Sequence, residues 1–146
     1  GYVLGDDSGR MRAEDWARRA LALMEIYQAD RIVAEVNQGG DLVENTIRAI
    51  KPGASYRAVR ATRGKYIRAE PVAALYERGK IYHVGEFPQL EDQMCSFTTG
   101  FDRKVAGYSP DRVDALVWAF TELFPDLSTP AIDVSIYDVP ASNVWA

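Results

Sequence analysis

Ile32-Val33-Ala34-Glu35-Val36-Asn37-Gln38-Gly39-Gly40-Asp41 is the stretch whose reading decides the fold. From Arg31 to Val36 it is a short run rich in Ile and Val, the pattern of a buried strand in a parallel sheet. Small polar residues follow, and then Leu42, Val43, Ile47 and Ile50 recur at helical spacing. Asp41 is placed to cap that helix, and Pro52 lies beyond its end.

The same alternation extends in both directions. Upstream, Val3-Leu4 and the turn Gly5-Asp6-Asp7-Ser8-Gly9 read as a strand end and its loop. Trp16, Ala17, Ala20, Leu21, Met24 and Tyr27 then line one face of a helix. Downstream, Tyr56 to Ala61 alternates weakly, as a strand would. Pro71 suits the first turn of a helix carrying Val72, Leu75 and Tyr76, closed by Gly79. Ile81 to Val84 is a further strand, and Leu90, Met94 and Phe97 sit on a helix after Pro88. Ser109-Pro110 opens the clearest helix, whose face is Val113, Leu116, Val117, Phe120 and Leu123. From Pro125 the chain is rich in Pro, Ser and Asp. The expected division is therefore a domain over residues 1–124 and a tail or linker over 125–146. Strands alternating with helices imply an α/β layer structure. Such sheets bind ligands beyond the carboxyl ends of their strands.

Composition narrows the function classes. A chain of 146 residues, 47% hydrophobic, suits one domain with a sizeable core. No apolar run spans a membrane and no signal peptide opens the chain, so no membrane partner is expected. A single cysteine, Cys95, excludes an internal disulfide and fits a cytosolic setting. Its apolar neighbours predict a buried core residue. His83 is the only histidine and lies in a strand, which argues against a histidine metal site. The net charge of −4 opposes a strong electrostatic hold on nucleic acid, unless basic residues gather locally.

Three groups of residues carry chemistry. Glu35 ends an otherwise apolar strand, where a carboxylate is costly unless paired or bound to metal. Spacing alone leaves two readings open: a strand-end glutamate salt-bridged beside a glycine turn, or a ligand. The segment is not a phosphate loop, because the Gly-Lys-Ser/Thr ending is absent. Asp111 and Asp114 stand at the start of the last helix, where acidic residues favour the dipole. Asp114, however, interrupts an apolar face, and an aspartate pressed toward a core wants a cation. Carboxylates from separate elements are what a Mg²⁺ site requires, and two such ions can drive phosphodiester hydrolysis. Arg57, Arg60, Arg63, Lys65 and Arg68 form a basic cluster within an acidic chain. It reads as a solvated face or as a phosphate contact, with Arg103 and Lys104 a weaker second contact. Asp6 and Asp7 read as a plain Asp-rich turn.

These residues resemble a known family. The segment from Ile32 to Asp41 resembles the glutamate-asparagine-glycine-glycine motif of the nuclease domain of bacteriophage terminase large subunits. Arg68-Ala69-Glu70-Pro71-Val72-Ala73-Ala74-Leu75-Tyr76, Gly79-Lys80 and His83-Val84-Gly85 resemble the segment between that family's central and last catalytic motifs. Leu90-Glu91-Asp92-Gln93-Met94 and the segment from Ser109 to Ala119 match too, so the resemblance runs from Tyr2 to Phe124. It implies a ribonuclease H-like fold, a mixed sheet flanked by helices. It also implies hydrolysis of concatemeric double-stranded viral DNA, using two Mg²⁺ or Mn²⁺ ions. Implied partners are the packaging ATPase domain of the same polypeptide, the portal and the small terminase subunit. The family's ligand positions fall on Glu35 and the Asp111–Asp114 segment, Asp111 first and Asp114 second, with Asn37, Gly39 and Gly40 shaping the site. The family's first strand, which carries an essential aspartate, lies upstream of the segment matching Tyr2-Val3-Leu4. The chain is accordingly expected to start downstream of that strand and to cut DNA poorly by itself. Three rival readings use the same residues: a junction resolvase or transposase relative, a non-catalytic DNA- or portal-binding module, and a nucleotide-binding domain resting on Gly39-Gly40 alone.

Overall fold

The computed structural model describes residues 1–37, 40–98 and 100–128. The elements run β1 (Tyr2–Val3), α1 (Ala13–Ile26), β2 (Ile32–Glu35), α2 (Gly40–Ile50), β3 (Tyr56–Val59) and α3 (Lys65–Glu77). They continue with β4 (Tyr82–His83), α4 (Pro88–Ser96), α5 (Arg103–Ala106) and α6 (Asp111–Leu123). A 3₁₀ turn at Pro125–Ser128 follows, and the rest of the expected tail lies outside the described residues. The α/β class read from the sequence is present. The strands form two parallel pairs, β1 with β4 and β2 with β3. In the second pair Ile32 aligns with Tyr56 and Glu35 with Val59, so both strands end at the same rim.

Two apolar cores hold these pairs. Val3, Val72, Ile81, Leu90, Val113 and Val117 form one, around β1, β4, α3, α4 and α6. Ala17, Leu21, Ile47 and Ala54 form the other, beneath β2 and β3. Helix α6 packs on α3 and α4 and also touches β2, so it links the two. Helix α1 ends with Gln28 at φ 51, while Ala29 N–H donates to the Met24 carbonyl at 2.8 Å. That six-to-one bond over a left-handed residue is a Schellman ending. Helix α3 closes the same way: Gly79 has φ 61 and Lys80 N–H donates to Leu75 at 2.9 Å, as the position of Gly79 predicted.

Four expectations need correction. Cys95 is exposed, not buried. Helix α4 turns Leu90 and Met94 inward, and the residue after Met94 is rotated about 100° off that face. Helix α3 begins at Lys65, six residues before Pro71, so Pro71 lies inside the helix instead of in its first turn. Helix α6 begins at Asp111 after Pro110; the Ser109 hydroxyl bonds to the Asp111 carboxylate, and the first turn is capped from outside by Gln93, whose amide oxygen accepts Arg112 N–H at 3.1 Å. Asp41 likewise sits within the first turn of α2.

A partly buried relay ties α3, β4 and α4 together. His83 Nδ1 lies 2.9 Å from Glu91 Oε1, and Tyr76 Oη lies 2.8 Å from His83 Nε2. A carboxylate only accepts, so Nδ1–H donates to Glu91 and the Tyr76 hydroxyl donates to Nε2. Burial pushes the Tyr76 phenol up to about 12, and the Glu91 charge adds to the shift.

Candidate active site

Strand β2, the start of α3 and the start of α6 meet at one open cleft of about 600 Å³, which Glu35, Asn37, Lys65, Asp111, Asp114 and Trp118 help to line. Each side chain is placed by a simple periodicity. Glu35 is the last residue of β2 and points to the rim where both strands end. Lys65 and Arg68 are three apart on the first turn of α3 and share a face. Asp114 and Trp118 are four apart on α6 and share the facing side.

Charges alternate across the cleft. Arg68 Nη2 bonds to Asp114 Oδ1 and lies 3.8 Å from Glu35 Oε2. Lys65 Nζ is 3.1 Å from Asp114 Oδ2 and 3.0 Å from Asp111 Oδ1. The order is therefore Glu35, Arg68, Asp114, Lys65, Asp111. Burial differs along it: the Asp114 side chain is 8% exposed and that of Arg68 11%, whereas that of Asp111 is 76% exposed. The Trp118 indole N–H donates to Glu35 Oε2 at 2.9 Å, and its ring lies 4.8 Å from the Arg68 guanidinium. Asn37 donates to Glu35 and accepts the Ala61 N–H at 3.0 Å, which ties the turn after β2 to the segment after β3. Burial alone would pull the Lys65 ammonium down, but its bonds to Asp111 and Asp114 outweigh that and raise it. For Asp111, burial acts upward, and bonds from Ser109 and Lys65 win, leaving it below the usual carboxylate value.

The structure thus gathers Glu35, Asp111 and Asp114 in one cleft, although residues far apart in sequence supply them. Gly40 is where a close approach needs glycine: an added Cβ would lie 2.6 Å from Val36 Cβ. Gly39 lies outside the described residues. The basic cluster divides. Lys65 and Arg68 turn inward to the acids, and Arg57 pairs with Glu122 at 3.0 Å. Arg60 and Arg63 are exposed beside a second, smaller hollow, and neither has an acidic partner among the described residues. Arg103 and Lys104 are exposed on α5.

Sequence reasoning missed Trp118 and Ser109 as parts of this cleft, and Arg112 as the partner of Asp6 elsewhere on α6. The signal for Trp118 was its i+4 spacing from Asp114, since a half-buried indole N–H needs an acceptor. Arg112 reaches back to Asp6, whose side chain is 8% exposed, and to the Ser8 carbonyl. Asp6 is therefore a buried ion-pair partner that pins the first turn to α6, more than a plain turn residue. Burial raises its pKa, and bonds from Ser8 and Arg112 pull it below the ordinary value.

A helix face and a strand end presenting carboxylates to one rim are shared by many α/β folds, so family membership rests on the whole sequence. The family model of the terminase RNaseH-like domain matches residues 3–123. The chain belongs to that family. No curated protein and no solved structure matches it. The matched span of this terminase domain includes all three carboxylates of the cleft and both cations between them. No helix among the described residues is long and apolar enough to cross a membrane.

The donor chemistry suits a hard divalent cation, which takes carboxylate and hydroxyl oxygens. The oxygens of Asp111, Asp114 and Ser109 already surround one positive group, the Lys65 ammonium. The three acids do not form a closed cage by themselves: no group of three or more His, Cys, Asp or Glu among the described residues is arranged to hold an ion. Their separation follows from the two cations between them.

Proposed function

We propose that this terminase domain is a metal-dependent endonuclease that hydrolyses phosphodiester bonds of concatemeric double-stranded DNA during viral DNA packaging. The observation that carries the reading is that Glu35 from β2 and Asp111 and Asp114 from α6 line one cleft within the family match. These three carboxylates would hold Mg²⁺ or Mn²⁺, with Asp114 innermost. Two such ions supply an activated water and stabilise the leaving oxygen. The chain's own groups do the rest. Trp118 and Asn37 fix the Glu35 carboxylate by donating to it. Arg68, stacked on Trp118, holds Asp114 and limits repulsion between the acids. Asn37 and Gly40, and by the family resemblance Gly39, would shape the site beside Glu35. Exposed Arg60 and Arg63, with Arg57, Arg103 and Lys104, would take DNA phosphates, as Arg and Lys do in positioning contacts. The wider partners would be the ATPase domain of the same polypeptide, the portal and the small terminase subunit.

A plasmid-nicking assay with millimolar Mn²⁺ tests the reading. Nicking that disappears in Glu35→Ala and in Asp114→Asn supports it; nicking indifferent to both substitutions rejects it. One observation favours a second reading, a non-catalytic DNA- or portal-binding module: Asp111 and Asp114 are already paired with Lys65 and Arg68. That module would hold DNA without divalent ions and, unlike the nuclease, would show no Mn²⁺ binding that depends on Asp114 in a metal titration.

A further inference from the structure

The ammonium of Lys65 sits where a cation would. It is 3.0 Å from Asp111 Oδ1, 3.1 Å from Asp114 Oδ2 and 3.3 Å from Ser109 Oγ. Three oxygens from the start of α6 and the residue two before it thus converge on one positive centre. Arg68 takes the other oxygen of Asp114 and approaches Glu35, so the five groups carry three negative charges against two positive. A dication entering between Asp111 and Asp114 would lie against the ammonium, and like charges at such range repel strongly in a partly buried site. One of the two must leave.

The two basic residues are not equally able to go. The Arg68 side chain is 11% exposed, is stacked on Trp118 and donates to the Arg63 carbonyl. Lys65 is the first residue of α3, and its side chain is 36% exposed at the cleft. Its four-carbon stem can swing the ammonium into solvent without disturbing helix packing.

We propose that Lys65 is a built-in stand-in for the divalent cation: its ammonium competes with metal for the oxygens of Asp111 and Asp114, and metal loading ejects it into the cleft. There it is free to meet a phosphate, so metal entry and backbone binding are coupled through one side chain. This inference rests on the metal-site reading proposed above and adds a residue that opposes loading.

The test measures Mn²⁺ binding to the whole chain by electron paramagnetic resonance of free Mn²⁺. Lys65→Met keeps most of the stem and removes the charge, and Lys65→Arg keeps the charge. Lys65→Met is expected to bind Mn²⁺ about tenfold more tightly or better, because a neighbouring positive charge is gone. Lys65→Arg is expected to stay as weak as the parent. Unchanged or weaker binding by Lys65→Met overturns the proposal. A second readout needs no variant. In the metal-free protein the Lys65 NH₃⁺ group, held by three oxygens, should give an observable ¹⁵N-detected ammonium signal, which Mg²⁺ should abolish. A signal that persists at saturating Mg²⁺ also overturns the proposal. Asp114→Asn separates the two failures. If Mn²⁺ binds the parent and is lost in Asp114→Asn, while Lys65→Met binds like the parent, only the competition fails. If no protein of the set binds Mn²⁺, the metal site fails and takes the competition with it.

Discussion

Replacing Arg68 by Met should destabilise the metal-free domain more than any other single loss of charge in the cleft. The reason lies in burial. The Arg68 and Asp114 side chains are 11% and 8% exposed, so water screens their pair little. Removing one partner of a buried pair costs about 3–5 kcal/mol, because the other charge is left behind. The guanidinium over Trp118 adds roughly 0.5–2 kcal/mol as a cation–π contact. Two effects offset this. Lys65 still touches Asp114, so the carboxylate is not orphaned. Arg68 Nε is buried without an acceptor among the described residues, and its removal returns about 1–3 kcal/mol. The net expectation is a loss of about 3 kcal/mol, or about 6–12 °C in Tm for a domain of this size. By contrast, the Arg18–Glu14 pair, more than half exposed on both sides, should cost about 0.2–1 kcal/mol when broken. Urea unfolding in EDTA measures both. A double-mutant cycle with Asp114→Asn should return a coupling of about 1–3 kcal/mol. Additive losses, or an Arg68→Met cost no greater than that of Arg18→Met, would show that the pair is not the buried contact described.

Two further predictions follow from local geometry. Gly40→Ala would set a Cβ 2.6 Å from Val36 Cβ, and Val36 is only 4% exposed; overpacking of about 1–3 kcal/mol should exceed the roughly 0.5–1 kcal/mol that alanine adds to a helix, so a neutral or stabilised variant in urea unfolding would contradict the close approach. Because the Tyr76 phenol is raised from 10.0 to about 12 in the folded chain, the folded state holds a proton that the unfolded state has lost, so stability present below pH 10 should fall away as the pH climbs toward about 12; Tyr76→Phe should flatten that fall, and identical slopes for the two proteins would refute it.

The part of the site that was legible came from patterns with a strict period. The apolar run before Glu35 located the strand end, although its residues prove half-buried instead of buried, and Gly40 lies where a close approach to Val36 leaves few alternatives. Asp114 was also legible as an aspartate pressed toward a core and in want of a cation. The identity of its partners was not. Lys65 and Arg68 read as part of a solvated face or of a phosphate contact because the start of α3 was hidden: its N-cap, Gly64, has no side chain to announce a cap, and Pro71 resembles a helix opener. Once the helix begins at Lys65, the three-residue spacing puts both cations on the face toward α6. Cys95 was misread for the related reason that apolar neighbours in sequence are not neighbours in space on a helix.

The position of the cleft between two cores gives this arrangement a mechanical consequence. Asp114 is carried by α6, which packs through Val113 and Val117 into the core shared with α3 and α4. Glu35 is carried by β2, which rests on the other core with Ala17 and Ile47. The separation of the two carboxylates is therefore not fixed within either core. It is set by what spans them: the Trp118 bond to Glu35 and the Arg68 guanidinium, which touches Asp114 and approaches Glu35. Arg68 holds the acids apart as well as neutralising them, since two carboxylates on opposite sides of a guanidinium cannot share a small ion. Drawing Glu35 and Asp114 onto a common cation requires the Arg68 bridge to yield or β2 to slide against α6. Trp118 is on the same helix as Asp114, one turn away, so release of the Arg68 bridge leaves its bond to Glu35 in place, whereas sliding β2 against α6 strains that bond. The indole thus ties Glu35 to α6, and the arginine is the spacer between the acids.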